Sequence, residues 1–192
     1  MRRSKAFNLP NILTYLRLAA IPAVVGLLFW PEDHWSRWMA LGVFALAGIT
    51  DYLDGYFARI YAQQSALGRM LDPIADKLLV AACLLMLVAD QTIHGWGLWA
   101  AIVILCREIL VSGLREFLAE LKVGVPVSRV AKWKTTAQIV AIGFLIAGPA
   151  GETVLPGTTM IGIVLLWVSA VLTIYTGWDY LKTGIHHMMD EG

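Results

Sequence analysis

The chain has 192 residues, of which 58% are hydrophobic and 15% are charged, so it is too apolar for an ordinary soluble domain. Its formal net charge of +1 gives no sign of a nucleic-acid partner, and we expect none. The apolar residues occur in runs of about 20, the length that an α-helix needs to cross a bilayer. The composition therefore predicts an all-α, polytopic membrane protein.

Six transmembrane helices are predicted in chain order, within a single domain that covers residues 1–192. Their spans are about 9–30, 38–57, 71–89, 96–117, 135–148 and 160–180. No cleavage-site pattern follows the first apolar run, so we expect the first helix to be retained. Pro73 either begins the third helix or kinks it, and the sequence leaves both possibilities open.

Lysine and arginine are distributed unequally between the two sides that six spans create. One side holds Arg2, Arg3, Lys5, Arg59, Arg69, Lys122, Arg129, Lys132, Lys134 and Lys182. The loops of the other side hold one basic residue, Arg37, beside Glu32, Asp33, Asp90 and Glu152. Because cytoplasmic loops are enriched in lysine and arginine, we predict that both termini lie on the cytoplasmic side of the membrane.

Four aspartates stand at the predicted cytoplasmic ends of the second and third spans. Asp51 and Asp54 are three residues apart, and both therefore lie on one helix face. Asp72 and Asp76 are four residues apart, so they also share one helix face. Small residues lie near these acids at helical spacing, namely Gly55, Ala58 and Gly68. A bulky ligand therefore has room to approach the backbone beside the acids.

Carboxylates gathered at the end of apolar helices need a cation, and oxygen ligands suit Mg²⁺ or Mn²⁺. Two such ions, bridged by carboxylates, would clamp a diphosphate and stabilise charge during displacement at phosphorus. The absence of a nearby histidine or cysteine argues against zinc. Two alternatives stay open: an ion network with Arg59, Arg69 and Lys77, and a cation-transport path. A prenyltransferase also uses aspartate clusters with Mg²⁺.

The acids and small residues form the pattern Asp51-x2-Asp54-Gly55-x2-Ala58-Arg59-x8-Gly68-x3-Asp72-x3-Asp76. This pattern resembles the signature of the CDP-alcohol phosphatidyltransferases. The resemblance implies six transmembrane helices, a homodimer, divalent metal, and a CDP-linked lipid donor against Gly55 and Arg59. It also implies metal ligation by the four aspartates, with Asp76 additionally acting as the base that takes the proton of the acceptor hydroxyl. The expected reaction is direct displacement at the β-phosphorus with CMP as leaving group.

Arg107 and Arg115 are eight residues apart and share a face of the fourth helix, within an apolar segment. One interpretation is internal pairing with Glu108 and Glu116. The other is a pocket for an acceptor phosphate, because guanidinium groups bind phosphate in a bidentate manner. Lys132 and Lys134 either extend this pocket or flank the membrane. Phosphate-bearing acceptors that fit are glycerol 3-phosphate and inositol phosphate.

The segments around these residues, from about Asn8 to Tyr180, resemble the bacterial phosphatidylglycerophosphate synthases within that family. The resembling stretches begin at Asn8, Arg107 and Lys132. They favour transfer from CDP-diacylglycerol to glycerol 3-phosphate. Thr14 and Arg17 are three residues apart on the first helix, where they either bind the donor or pack against another helix. Ser65 is a further candidate for donor binding.

Overall fold

The computed structural model describes residues 9–30, 32–61, 66–121 and 129–190. This part of the chain contains six α-helices and no strand, which confirms the all-α prediction. The helices are α1 (Leu9–Leu28), α2 (His34–Tyr61), α3 (Ala66–Ala89), α4 (Gly97–Glu120), α5 (Arg129–Glu152) and α6 (Thr158–Asp190). Each predicted span lies largely within one helix, in the predicted order.

Most of the helices extend beyond the spans predicted from apolar runs. α2 begins at His34 and ends at Tyr61, so it contains polar turns on either side of the predicted span 38–57. α3 begins at Ala66, and the connector between α2 and α3 is therefore shorter than predicted. Pro73 lies inside α3, seven residues after its start, and so it does not begin that helix.

Two helices are long and apolar enough to cross a membrane. These segments are Gly97–Ala119 in α4 and Thr158–Lys182 in α6, and a shorter apolar helix covers Ile12–Leu28. Among the described residues only the first two segments satisfy both conditions, and the six predicted transmembrane spans stay a prediction. Large apolar side chains on both segments, such as Ile109 and Val171, are exposed, which fits contact with lipid.

The chain forms two compact units. The first unit comprises Met1–Ile93 and Ile142–Thr159, and the second comprises His94–Ala141 and Met160–Gly192. In the first unit α1 packs against both α2 and α3, and this packing brings the predicted acidic residues of α2 and α3 next to α1. The single domain predicted from the sequence stays a prediction.

Within the first unit, α5 is bent at Gly148, where φ is 40° and ψ is −124°. Pro149 follows; it has no N–H, and its ring opposes the carbonyl four residues earlier, which belongs to Leu145. Arg37 of α2 donates through Nη1 to the carbonyls of Ile146 at 3.2 Å and Leu145 at 3.5 Å. A Cβ on residue 148 would lie 2.7 Å from that Nη1, so both the positive φ and the available space require glycine.

The same arginine forms an ion pair with Asp90, which follows α3. Its Nη2 lies 2.5 Å from Asp90 Oδ2 and 3.1 Å from Thr92 Oγ1. The side chain of Arg37 is 1% exposed and that of Asp90 is 3% exposed. Asp90 Oδ1 also accepts the Thr92 backbone N–H at 2.8 Å. We call Arg37, Asp90 and Thr92 the closed cluster, because both charges are buried.

Glu152, the last residue of α5, caps the first turn of α6. Its Oε2 accepts the Gly157 N–H at 2.7 Å, and its Oε1 accepts the Thr159 N–H at 2.8 Å. The first N–H groups of a helix have no partner within the helix, so this carboxylate supplies one. These hydrogen bonds hold the pKa of Glu152 below its ordinary value of 4.5, and the bond from the Thr159 N–H has the largest effect.

Candidate active site

Two predicted site aspartates from different helices converge on one arginine of α1. Arg17 Nη2 lies 2.9 Å from Asp51 Oδ1 on α2, and its Nη1 lies 2.9 Å from Asp76 Oδ1 on α3. The Arg17 side chain is 1% exposed, whereas both aspartate side chains are 47% exposed. The guanidinium is therefore buried between the helices, and the two carboxylates are exposed on the side that faces away from it.

A third predicted aspartate, Asp72, accepts a hydrogen bond from the same helix, α1. Thr14, one turn before Arg17, donates its hydroxyl to Asp72 Oδ1 at 2.5 Å. Thr14 and Arg17 are three residues apart on α1, and the three aspartates that they contact therefore meet the same side of α1. We call Arg17, Asp51, Asp76, Thr14 and Asp72 the open cluster.

The contacts of Thr14 and Arg17 define what these residues do within the protein. Both side chains are 1% exposed, and the partners shown for them are site carboxylates. The ion-network alternative named Arg59, Arg69 and Lys77 as partners of the acids. The structure describes ion pairs of Asp51 and Asp76 with Arg17, and it does not describe the side chains of Arg59 and Arg69, so that alternative stays open. Sequence reasoning identified Arg17 but missed these partners.

Several predicted site residues lie partly or wholly outside the described structure. For Asp54, Gly55, Ala58 and Arg59 only the helical backbone of α2 is described, and the same holds for Lys132 on α5. Ser65 lies outside the described residues altogether. Gly68 is buried on α3, one turn before Asp72, as its spacing predicted. The predicted roles of these residues stay predictions.

The open cluster fits a divalent cation by the chemistry of its donors. Asp51 and Asp76 already share one positive charge, and carboxylate oxygens are the ligands that Mg²⁺ and Mn²⁺ prefer. Among the described side chains, no group of three or more histidine, cysteine, aspartate or glutamate residues is placed to hold a metal ion. The side chain of the fourth predicted ligand, Asp54, lies outside that set.

In the second unit, the predicted phosphate-binding arginines of α4 contact α6. Arg107 Nε donates to the Thr173 carbonyl at 3.1 Å, and its Nη2 donates to Thr176 Oγ1 at 2.9 Å. The Cγ of Arg107 would lie 3.2 Å from a Cβ at Gly177, so glycine allows the arginine stem to lie against α6. These α6 partners were not predicted, although threonines at helical spacing in an apolar helix indicated a polar face.

Arg115 and Lys134 complete this basic region. Arg115 Nη2 lies 3.4 Å from the Tyr180 hydroxyl, and its guanidinium carbon lies 5.4 Å from the centre of the Tyr180 ring. Lys134 of α5 forms an ion pair with Glu108, whose Oε1 is also 3.6 Å from Arg107 Nη1. The internal pairing that was the alternative for Arg107 is thus present, and it is shared with Lys134.

Comparisons with known proteins cover nearly the whole chain. A family model described as CDP-alcohol phosphatidyltransferase matches residues 7–175. A Rickettsia bellii protein named CDP-diacylglycerol–glycerol-3-phosphate 3-phosphatidyltransferase is 46% identical over 175 residues, 91% of this chain and 94% of its own. Proteins of the same name from Pseudomonas fluorescens (40% identity, 96% of this chain, 94% of their own) and Cereibacter sphaeroides (38%, 96% and 99%) are also similar.

Proposed function

The chain belongs to the CDP-alcohol phosphatidyltransferase family, and we propose that it transfers the phosphatidyl group of CDP-diacylglycerol to glycerol 3-phosphate, releasing CMP. Membership confirms the resemblance that the aspartate pattern predicted. The observation that carries the choice of reaction is the shared name of relatives that are 38–46% identical over 91–96% of the chain. The products are phosphatidylglycerol phosphate and CMP.

In this reaction the hydroxyl of the acceptor attacks the β-phosphorus, and the bond from that phosphorus to the CMP oxygen breaks. Asp76 acts as general base, taking the hydroxyl proton as the new P–O bond forms. Its carboxylate suits this role because it is half exposed and one oxygen is fixed against Arg17. Two Mg²⁺ or Mn²⁺ ions, held by Asp51, Asp54, Asp72 and Asp76, would stabilise the negative charge of the diphosphate.

The remaining site residues divide between donor and acceptor. Donor binding is assigned to Gly55, Ala58, Arg59 and Gly68 on the family pattern, and Ser65 is a further candidate. Thr14 and Arg17 are 1% exposed and contact the site carboxylates, so they would act on the donor through those carboxylates. Binding of the acceptor phosphate is assigned to Arg107, Arg115, Lys132 and Lys134. In support of this second assignment, Arg107 and Lys134 share one carboxylate, Glu108, in their described ion pairs, and the described partner of Arg115 is the uncharged Tyr180.

The proposed setting is a bacterial inner membrane, crossed six times by a homodimeric enzyme with its termini and active site facing the cytoplasm. Two helices apolar enough to span a bilayer support the membrane location. The lysine and arginine distribution supports the orientation. No nucleic acid is expected as a partner.

The deciding experiment supplies purified protein with CDP-diacylglycerol, Mg²⁺ and one acceptor at a time, and measures CMP release. Glycerol 3-phosphate is expected to support turnover, whereas serine and inositol phosphate are not. Release with serine or inositol phosphate alone would contradict the acceptor assignment. Metal flux into proteoliposomes without CMP release would support the transporter alternative instead.

The acceptor pocket is tested by Arg115→Ala. Because a hydrogen bond to a charged group contributes about 1.5–3 kcal/mol, we expect the KM for glycerol 3-phosphate to rise at least about tenfold, with little change in the KM for the donor. Tyr180→Phe is the matched control, since it removes only the hydroxyl that contacts Arg115. Equal changes in both KM values would indicate a structural role for Arg115.

A further inference from the structure

The open cluster places its cation and its carboxylates in different environments. Arg17 is 1% exposed, while Asp51 and Asp76 are each 47% exposed. The described ion pairs engage the Oδ1 atom of each aspartate. A ligand can therefore reach the two carboxylates from their exposed face, with the guanidinium still in place on the buried face.

The position of Arg17 is fixed by its helix. α1 packs against α2 and α3, the two helices that carry the aspartates. Thr14, one turn away, is equally buried and donates to Asp72. Two nitrogens of this guanidinium each lie 2.9 Å from a different carboxylate, an arrangement that the single nitrogen of a lysine cannot reproduce.

We propose that Arg17 is a fixed counter-cation of the acidic site, which holds Asp51 and Asp76 together in the absence of metal and lowers their affinity for a divalent cation. This inference rests on the metal site of the proposed function and adds how its affinity is set. Arg17 acts through the two aspartates and is therefore a positioning residue.

Two electrostatic effects follow from this arrangement. Without the guanidinium, two carboxylates on neighbouring helices repel each other, so the metal-free protein loses stability. When a divalent cation binds the same carboxylates, it lies within a few ångströms of the guanidinium, and the two positive charges repel each other. Because the Coulomb energy scales with the product of the charges, a divalent cation at this place meets twice the repulsion that a monovalent cation would meet.

The test measures Mn²⁺ binding to the purified protein in detergent by electron paramagnetic resonance, with neither donor nor acceptor present. Arg17→Gln removes the charge, and its Kd for Mn²⁺ is expected to be at least about tenfold lower than that of the wild type. Unchanged or weaker binding in this variant would overturn the proposal. A donor-binding role for Arg17 alone would leave the donor-free Kd unchanged.

Arg17→Lys keeps the positive charge but replaces the planar guanidinium with a single ammonium group. Its Kd for Mn²⁺ is expected to stay within about threefold of the wild-type value, because the repulsion remains. Binding weakened about tenfold in this variant would assign Arg17 to the alignment of the carboxylates, and would also overturn the proposal. This variant decides the question even if Arg17→Gln does not fold.

Thermal unfolding separates the proposal from a purely structural role. In EDTA, Arg17→Gln is expected to melt below the wild type, and Mn²⁺ is expected to recover most of the loss. Arg37→Gln is the matched control, because Arg37 is equally buried but belongs to the closed cluster. Its loss in Tm should be the same with and without Mn²⁺. A metal-independent loss in Arg17→Gln would count against the proposal.

The wild-type titration distinguishes the failure of this inference from that of the proposed function. If the wild type binds no Mn²⁺ at millimolar concentrations, the proposed metal site is wrong and this inference fails with it. If the wild type binds Mn²⁺ and only the Arg17 variants depart from expectation, the proposed function stands and this inference alone is overturned.

Discussion

The closed cluster around Arg37 and the open cluster around Arg17 use the same pairing of arginine with aspartate in one compact unit. Both arginines are 1% exposed, and α2 carries a member of each cluster, with 14 residues, or about 21 Å of helix, from Arg37 to Asp51. The carboxylates differ: Asp90 is 3% exposed, and Asp51 is 47% exposed. The exposure of the aspartate, and not that of the arginine, therefore distinguishes the candidate site from an ion pair that stabilises the fold.

The largest effect that tests this difference is expected from Asp76→Asn. Loss of a general base typically lowers the rate about 10²–10⁴-fold, and we expect kcat to fall in that range with the protein still folded. Asp90→Asn is the matched control: it should lower Tm but leave the kcat of the folded protein within about twofold, because Asp90 lies in the closed cluster. A smaller loss than about tenfold for Asp76→Asn would remove the base assignment.

The second effect concerns the stability of the closed cluster. Arg37→Met leaves Asp90 buried without its ion-pair partner, and removing one member of such a pair costs about 3–5 kcal/mol of unfolding free energy. Chemical unfolding in detergent measures the loss. The double variant Arg37→Met with Asp90→Leu should recover most of it, since an apolar pair often replaces a buried ion pair without loss. Recovery stays incomplete because the Leu145 and Ile146 carbonyls lose their donor.

A smaller effect is expected from the bend in α5. Gly148→Ala places a side chain at a positive φ and 2.7 Å from Arg37 Nη1, so we expect a loss of about 1–3 kcal/mol. Gly42→Ala on α2 is the control, because nothing lies within 4 Å of its added Cβ. That change should be neutral or stabilise the protein by up to about 1 kcal/mol. An unchanged free energy of unfolding in Gly148→Ala would show that the Arg37 side chain can move away from the added methyl group.

The smallest effect is expected at Glu152, a charge outside both clusters. Its pKa is lowered in the folded protein, so its contribution to stability is present above the ordinary value of 4.5 and is lost as the pH falls through the folded pKa. We expect Glu152→Gln to melt slightly below the wild type at pH 7, with the difference disappearing below that pKa. A difference in Tm that does not change with pH would assign the effect to packing.

The helices could be predicted from the sequence, but their ends could not. An apolar run reports the thickness of the bilayer, whereas the hydrogen bonds of a helix continue through polar residues. α2 therefore begins at His34, four residues before the predicted span, and continues to Tyr61. The bend at Gly148 was predicted only as the end of the fifth span, at residue 148.

Within the candidate site, the sequence predicted which residues lie together on one helix, but not the contacts between helices. Spacing identified Asp72 and Asp76 as neighbours on one face, and both lie in the open cluster. The partners of the buried arginines were missed, because Arg17 lies 59 residues from Asp76 and Arg37 lies 53 residues from Asp90. Spacing within a helix does not reveal which helices face each other. For Arg17 the available signal was a charge inside the apolar span 9–30, since such a charge requires a partner.

The placement of Thr14 and Arg17 on α1 also has a consequence for biosynthesis. A ribosome makes α1 before α2 and α3, and chains generally acquire structure from the N-terminus during synthesis. The cation of the open cluster is therefore already part of the growing chain when each of its carboxylates is synthesised. Asp51 and Asp76 are each synthesised after the helix that carries their ion-pair partner, Arg17.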